Sequence, residues 1–107
     1  MKGAKMIYVI ATIELNQGCK EGFLKIFKDN VSNVRAEKGC ISYEPTVDID
    51  SGIPAQAEMR SDVVTIVEAW NGLNDLHQHL KAPHMAAYRE KAKDLVKQVT
   101  LQVLQPV

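Results

Sequence analysis

Four stretches of the chain are rich in β-branched residues or alternate between apolar and polar positions, and both patterns predict β-strands. Between these stretches the apolar residues recur every three or four positions, as on one face of an amphipathic helix. Pro83 fits the first position of a new helical segment, so it divides the second helical region. The predicted strands cover residues 5–15, 40–50, 63–70 and 96–104, and the helical patterns cover residues 20–37, 72–82 and 83–95.

This order, β-α-β-β-α-β, predicts an α+β fold of the ferredoxin-like type, in which two helices back a four-stranded antiparallel sheet. The first strand is largely apolar on both faces, with Ile7 and Val9 on one side and Tyr8 and Ile10 on the other. Helices cover only one face of such a sheet, so the other face needs a second partner. Because buried apolar surface is worth roughly 25 cal/mol per Å², we predict a homodimer that joins two sheets face to face.

The third predicted strand places a carboxyl group beside the only tryptophan of the chain. Val64, Ile66, Glu68 and Trp70 share one face because they are two residues apart. All three histidines follow shortly afterwards, at positions 77, 79 and 84. A carboxyl group that is buried beside an indole has a raised pKa, which would make Glu68 a candidate base near neutral pH. We therefore place the candidate chemistry of the chain in this region.

The segments that connect these elements carry their own signals. Residues 50–62 show no periodicity, which predicts a long loop that could lie over a pocket. Pro45 cannot donate to a strand ladder, so its strand is expected to lie at a sheet edge or to bend. Gly39 is expected to end the first helix in a left-handed conformation. Asn71 is expected to cap the next helix.

Composition excludes several classes of partner. The 107 residues include 13 basic and 13 acidic side chains and carry no formal net charge, whereas nucleic acids and anionic membranes select clustered cations. No apolar run approaches the roughly 20 residues of a membrane-spanning helix. Cys19 and Cys40 are too few for a disulfide scaffold and lack metal-ligand spacing. We predict one cytoplasmic domain over residues 1–107, with no nucleic-acid or membrane partner.

Three short segments in a fixed order give the chain a family resemblance. They are Gly-Cys-Ile-Ser-Tyr-Glu at residues 39–44, Glu-Ala-Trp at residues 68–70, and His-Leu-Lys-Ala-Pro-His at residues 79–84. With these segments and their spacing, the chain resembles the antibiotic biosynthesis monooxygenase family, and within it the quinol monooxygenases, over residues 6–101. The resemblance implies ferredoxin-like units that pair as a dimeric α+β barrel.

Monooxygenases of that family oxidise electron-rich phenols or quinols with O2 and use no flavin, haem or metal. The resemblance therefore implies a cofactor-independent monooxygenase whose partners are a small aromatic substrate, O2 and a second copy of the chain. It also implies that the three segments above contribute the wall or mouth of a substrate cavity. The catalytic candidates are His79, His84 and Glu68, and the substrate-binding candidates are Trp70, Tyr43 and Tyr88.

Other functions are compatible with the same sequence. The scaffold could serve as a small-molecule binding or sensing domain without turnover. An isomerase or lyase that acts on a small phosphorylated metabolite, as one relative in the family does, would need cations such as Lys81 and Arg89. Haem-degrading relatives use an Asn in the first strand, which residues 5–15 lack. A zinc site is disfavoured because no two histidines have the i, i+4 spacing of helical metal ligands.

Each candidate also has a structural interpretation. Trp70 could be a core residue, and His79 could be a partly buried histidine with a satisfied hydrogen bond. His84 could be an exposed residue at a helix start. His77 has no counterpart in the family pattern and is expected to face solvent.

Overall fold

The computed structural model of the chain describes residues 5–107. Its strands are β1 (Ile7–Leu15), β2 (Cys40–Thr46), β3 (Val63–Trp70) and β4 (Val96–Leu104), and its helices are α1 (Lys20–Arg35), α2 (Leu73–Lys81) and α3 (Pro83–Ala92). The predicted ferredoxin-like order is confirmed, with the second helical region divided into α2 and α3. The division lies at Pro83, which occupies the start of α3 after an extended Ala82. Within residues 5–107, no helix combines the length and the apolar character needed to cross a bilayer.

The strands form one antiparallel sheet in the order β2-β3-β1-β4. β1 lies inside the sheet and pairs with β3, from Ile7 opposite Trp70 to Glu14 opposite Val63. β2 is an edge strand, as expected from Pro45. An edge strand pairs on one side only, so it tolerates a proline, which has no backbone N–H to donate.

One face of the sheet packs against the helices and forms the core. On this face every second residue of β1 is at most 7% exposed. α1 covers the same face with Phe23, Phe27, Val31 and Val34, which follow the three- and four-residue spacing of its sequence. Val64, Ile66, Glu68 and Trp70 of β3 are buried on this face too, so the face-sharing predicted for them is confirmed.

Among residues 5–107, no helix packs on the outer face of the sheet. Tyr8 and Val67 on this face are 41% and 38% exposed. Across its middle the pairing of the strands places four threonines side by side, and these are Thr46, Thr65, Thr12 and Thr100. The outer face is therefore a mixed surface of apolar side chains and hydroxyl groups, whereas the first strand alone suggested a largely apolar one.

The second strand is shorter than the sequence pattern predicts. It ends at Thr46, which pairs with Thr65 near the start of β3, and the predicted strand residues 47–50 lie outside the sheet. An ion pair lies just beyond the strand, in which both carboxylate oxygens of Asp48 accept from the Arg60 guanidinium at 2.8 and 3.0 Å. The hydrogen bonds from Arg60 hold the pKa of Asp48 at about 2. This pair joins the two sides of the loop where the chain leaves the sheet.

The long loop does not lie over the cavity of its own chain. Residues 50–61 are exposed, and no residue between 47 and 62 lines the cavity described below. Gln56 holds the loop together by bonding the backbone of Ile49 and Ser51. The expectation that this loop covers a pocket is thus wrong for the single chain.

Asn71 is not the cap of the following helix. Gly72 occupies the N-cap position in an extended conformation, and no side chain caps α2. The backbone N–H of Asn71 instead donates to the carbonyl of Gly39 at 2.8 Å. This bond holds the end of β3 against the turn before β2. Asn71 itself is exposed.

Gly39 is expected to tolerate no side chain. Its φ is +83°, and a Cβ placed there would overlap the side chain of Asp75, whereas Gly18 has φ +78° and no neighbouring atom within 4 Å. Gly39→Ala is therefore expected to lower the free energy of unfolding by about 2 kcal/mol or more, and Gly18→Ala by only about 1 kcal/mol. Urea denaturation of both variants measures the difference, and equal losses would show that Asp75 moves aside freely.

Candidate active site

A cavity of about 350 Å³ lies between the helix-facing side of the sheet and the helices. Most of its wall is apolar, and β4 closes one side with Val99 and Leu101. Its polar and charged lining residues are Tyr43, Glu68, His79, Tyr88, Arg89 and Lys93. An apolar hollow with a few polar groups is the usual form of a small-molecule site.

Glu68 and Trp70 form a buried pair at this cavity. The indole Nε1–H of Trp70 donates to Oε1 of Glu68 at 2.9 Å, and the two residues are 5% and 0% exposed. Burial raises the pKa of Glu68 to about 7, and the nearby Glu37 adds to the rise, although the bond from Trp70 opposes it. The carboxyl group of Glu68 can therefore take up and release a proton near neutral pH.

Aromatic rings surround the second titratable group of the cavity, His79. The imidazole centroid lies 4.7 Å from that of Trp70 and 5.5 Å from that of Tyr43. Phe27 stacks on Tyr43 at 5.3 Å and meets Tyr88 edge-on at 5.6 Å. Burial raises the pKa of both tyrosines, so their hydroxyls stay protonated near neutral pH. The rings that line the cavity form aromatic walls, and a flat ligand can stack against them.

His79 itself bonds outward to a carboxylate of the neighbouring segment. Its Nδ1 lies 3.0 Å from Oε2 of Glu37, just beyond the end of α1. The side chain is 2% exposed, and burial lowers the pKa of His79 despite the opposing effect of Glu37. Within residues 5–107 the other ring nitrogen, Nε2, has no hydrogen-bond partner. A neutral His79 that donates through Nδ1 has a free lone pair at Nε2.

His84 lies on the far side of the same carboxylate. Its Nε2 is 2.8 Å from Oε2 of Glu37, but the N–H direction is not aligned for a hydrogen bond. Its Nδ1 lies 3.1 Å from the amide nitrogen of Asn30. Glu37 and His84 both line a separate polar groove of about 440 Å³.

The structure brings together four of the six residues singled out from the sequence. Tyr43, Glu68, His79 and Tyr88 line the cavity. Trp70 lies behind this wall, in contact with Glu68 and His79, and His84 belongs to the polar groove. Of the cations considered for a phosphorylated ligand, Arg89 lines the cavity and Lys81 does not. His77 is exposed, as expected.

Glu37 is the main site residue that the sequence analysis did not single out. Asn30, Val34 and Glu37 follow one another at four- and three-residue intervals, so they continue one side of the buried stripe of α1. Polar residues on an otherwise buried stripe were the available signal. Within residues 5–107, no three side chains of His, Cys, Asp or Glu converge as metal ligands.

Comparison with known proteins identifies the family. The family model described as antibiotic biosynthesis monooxygenase matches residues 6–91. The chain belongs to the antibiotic biosynthesis monooxygenase family. All four cavity-lining candidates and Glu37 lie inside the part of the chain that this family match covers.

Relatives of the family agree in sequence and in fold. The chain is 36% identical over 103 residues to a protein named probable quinol monooxygenase YgiN from Escherichia coli K12, covering 94% of this chain and 98% of that protein. The crystal structure of PA3566 from Pseudomonas aeruginosa superposes with a TM-score of 0.81 at 21% identity, over 100% of this chain and 99% of that one. Rv0793 from Mycobacterium tuberculosis gives 0.77 at 22% identity, over 95% of each chain. The family match and the sequence relative support a monooxygenase-like function at the level of the family. The two solved structures support the fold.

Proposed function

We propose that the cavity is the active site of a cofactor-independent monooxygenase that oxidises a small electron-rich phenol or quinol with O2. The observation that carries this proposal is the pair His79 and Glu68, which places two proton acceptors in one apolar cavity. The similarity to a protein named as a probable quinol monooxygenase supports the same substrate class.

The chemistry begins with proton removal, because a phenolate or quinolate can give an electron to O2 while the neutral form resists oxidation. The free Nε2 of His79 accepts the hydroxyl proton of the substrate, and Glu68 is placed to accept the proton of the ring C–H. The apolar walls keep water away from the reduced oxygen intermediate. Tyr43 and Tyr88, which stay protonated, offer hydrogen bonds to the substrate oxygens.

The reaction balances without an added reductant. One oxygen atom of O2 forms a bond to a ring carbon, and the O–O bond breaks so that the other atom leaves as water. The two hydrogens of that water come from the substrate hydroxyl and from the ring C–H. The substrate leaves as a quinone, and His79 and Glu68 return to their starting protonation states.

Oxygen uptake by the purified protein tests the proposal. We expect uptake above the spontaneous rate with at least one member of a panel of quinols and hydroxylated polycyclic phenols. If these compounds quench the fluorescence of Trp70 saturably but the protein consumes no oxygen, the chain is a binding or sensing domain instead. Absence of both responses would contradict a phenol or quinol site.

We also propose that two copies of the chain pair through the outer face of the sheet. Tyr8 and Val67 are exposed there, and β4 is uncovered on its helix side as well, where Val99, Leu101 and Val103 are 53%, 43% and 48% exposed. Exposed apolar side chains on a sheet are an expected site of association.

Val67→Lys is expected to separate the dimer, because it places a charge in the middle of the outer face. Size-exclusion chromatography with light scattering should give two chains per particle for the native protein and one for this variant. Leu73→Lys is the matched control, since Leu73 is 51% exposed on α2, away from the sheet. A native protein with one chain per particle at micromolar concentration would contradict the pairing.

We propose a cytoplasmic location on the basis of the cysteines. Cys19 and Cys40 are free thiols, and unpaired thiols are typical of reducing compartments. Cell fractionation with an antibody against the chain tests this, and recovery in an oxidising compartment would contradict it.

A further inference from the structure

The carboxylate of Glu37, outside the cavity, bonds to one ring nitrogen of His79, a residue that lines the cavity. We propose that Glu37, supported by His84, is a positioning residue that holds His79 as the tautomer with a proton on Nδ1 and a free lone pair on Nε2. This inference rests on the proposed function for its consequence in turnover, although the tautomer itself can be observed without a substrate.

The hydrogen bond between His79 and Glu37 has only one possible direction. A carboxylate only accepts hydrogen bonds, so the 3.0 Å contact requires the proton on Nδ1 of His79. The side chain is 2% exposed, and burial lowers its pKa, so the neutral form predominates near neutral pH. In a neutral imidazole with Nδ1–H, Nε2 is the proton acceptor.

Asn30 and His84 hold the carboxylate of Glu37 in place. The side-chain oxygen of Asn30 accepts from the amide of Asn33 at 2.9 Å, so the Asn30 amide nitrogen is free to donate to Nδ1 of His84 at 3.1 Å. His84 then carries its proton on Nε2, 2.8 Å from Oε2 of Glu37. The contact is not aligned as a hydrogen bond. It still places a positive N–H dipole beside the carboxylate and opposes its rotation away from His79.

The carboxylate of Glu37 lies at the polar groove and not in the cavity. Glu37 is 17% exposed in its side chain and lines the polar groove, whereas the cavity on the other side of His79 is mostly apolar. Water in the groove can solvate the charge of Glu37 without entering the cavity. The carboxylate can therefore stabilise an imidazolium that forms when His79 takes a proton from a substrate, as a buried carboxylate does behind a general base.

Other charges around His79 do not offer the same contact. The titratable and charged groups that face it from the neighbouring elements are Glu37, Tyr43, Glu68, His84 and Arg89. The Glu68 carboxyl group accepts from Trp70, and Arg89 donates to the carbonyl of Leu80. Glu37 is thus the partner that fixes the ring of His79.

The experiment combines nitrogen NMR of the histidine rings in the ligand-free protein with oxygen-uptake kinetics. We expect the native spectrum to show His79 protonated at Nδ1, and Glu37→Leu, which removes the acceptor oxygen, to lose that preference. Glu37→Gln keeps an acceptor oxygen but removes the charge, so it should lower the pKa of His79 further. In turnover, Glu37→Gln is expected to lower kcat by about 10- to 100-fold and to change KM by less than about threefold. His84→Gln should shift both readouts in the same direction by less.

Glu21→Gln is the matched control, because Glu21 carries the same functional group on the exposed first turn of α1 and lines neither the cavity nor the groove. It should leave the tautomer, kcat and the pH profile unchanged. A native His79 protonated at Nε2, a Glu37→Leu protein with the native tautomer, or a Glu37→Gln protein with native kcat would overturn the proposal. If His84→Gln remains native in both readouts, His84 has no supporting role and that part is overturned. The expected tautomer in a protein without oxygen uptake would instead retain the positioning role and contradict the proposed function.

Discussion

Replacing His79 by alanine is expected to lower the rate of oxygen uptake by about two to four orders of magnitude, the range that general base catalysis supplies. The reason is that Nε2 of His79, which makes no hydrogen bond among residues 5–107, is the proposed proton acceptor for the substrate hydroxyl. Without it, the substrate hydroxyl must lose its proton to Glu68 or to water. Steady-state oxygen consumption at saturating substrate measures the effect.

The control for this variant is His77→Ala. His77 lies on the same helix, is exposed, and contacts neither the cavity nor the groove, so its removal should leave uptake at the native rate. His79→Ala also leaves a gap beside Trp70, so the comparison is made where unfolding curves show both variants to be folded. Uptake by His79→Ala within about threefold of the native rate would exclude His79 as the base.

Glu68→Gln is expected to change the pH dependence of stability. In the folded protein the pKa of Glu68 is raised from 4.5 to about 7, chiefly by burial. The folded state therefore binds this proton more tightly than the unfolded state does. The resulting stabilisation is complete below the unfolded pKa, and it is lost as the pH rises through the folded value. Because a tenfold change in proton affinity corresponds to about 1.4 kcal/mol, the whole contribution is about 3 kcal/mol.

A glutamine at this position can still accept from Trp70 but never ionises. The native protein should therefore lose about 3 kcal/mol of stability relative to Glu68→Gln between about pH 4 and pH 8. Urea denaturation across this range measures the difference. We expect the same variant to have reduced oxygen uptake, because it lacks the second proton acceptor. Parallel stability curves for the two proteins would show that Glu68 ionises in the folded state as it does in the unfolded chain.

The sequence was sufficient for the parts of the fold that depend on local periodicity. The two-residue spacing on the third strand correctly placed Glu68 and Trp70 on one buried face. The position of Pro83 correctly divided the second helical region, and Pro45 correctly indicated an edge strand. Each of these features is determined by a single residue type or by neighbours within one element.

Features that depend on distant residues were not predictable in the same way. The second strand ends at Thr46, and beyond it Asp48 pairs with Arg60 across the loop, a contact that no periodicity reveals. The carboxylate behind His79 comes from Glu37, 42 positions earlier in the chain. His84 has the sequence pattern of a cavity residue, yet the turn at Pro83 places it on the groove side of Glu37. The contacts of Glu37 with His79 and His84 depend on how α1 packs beside α3, which brings distant parts of the chain together.

The central claim, that this cavity inserts oxygen from O2 into an aromatic substrate, is tested most directly with isotopically labelled O2. The native protein and an active quinol or phenol from the panel are incubated under the labelled gas, and product and water are analysed by mass spectrometry. We expect one labelled atom in the quinone product and one in water for each O2 consumed. A product without label, with the consumed O2 recovered as hydrogen peroxide, would contradict the account and indicate simple oxidation of a bound ligand.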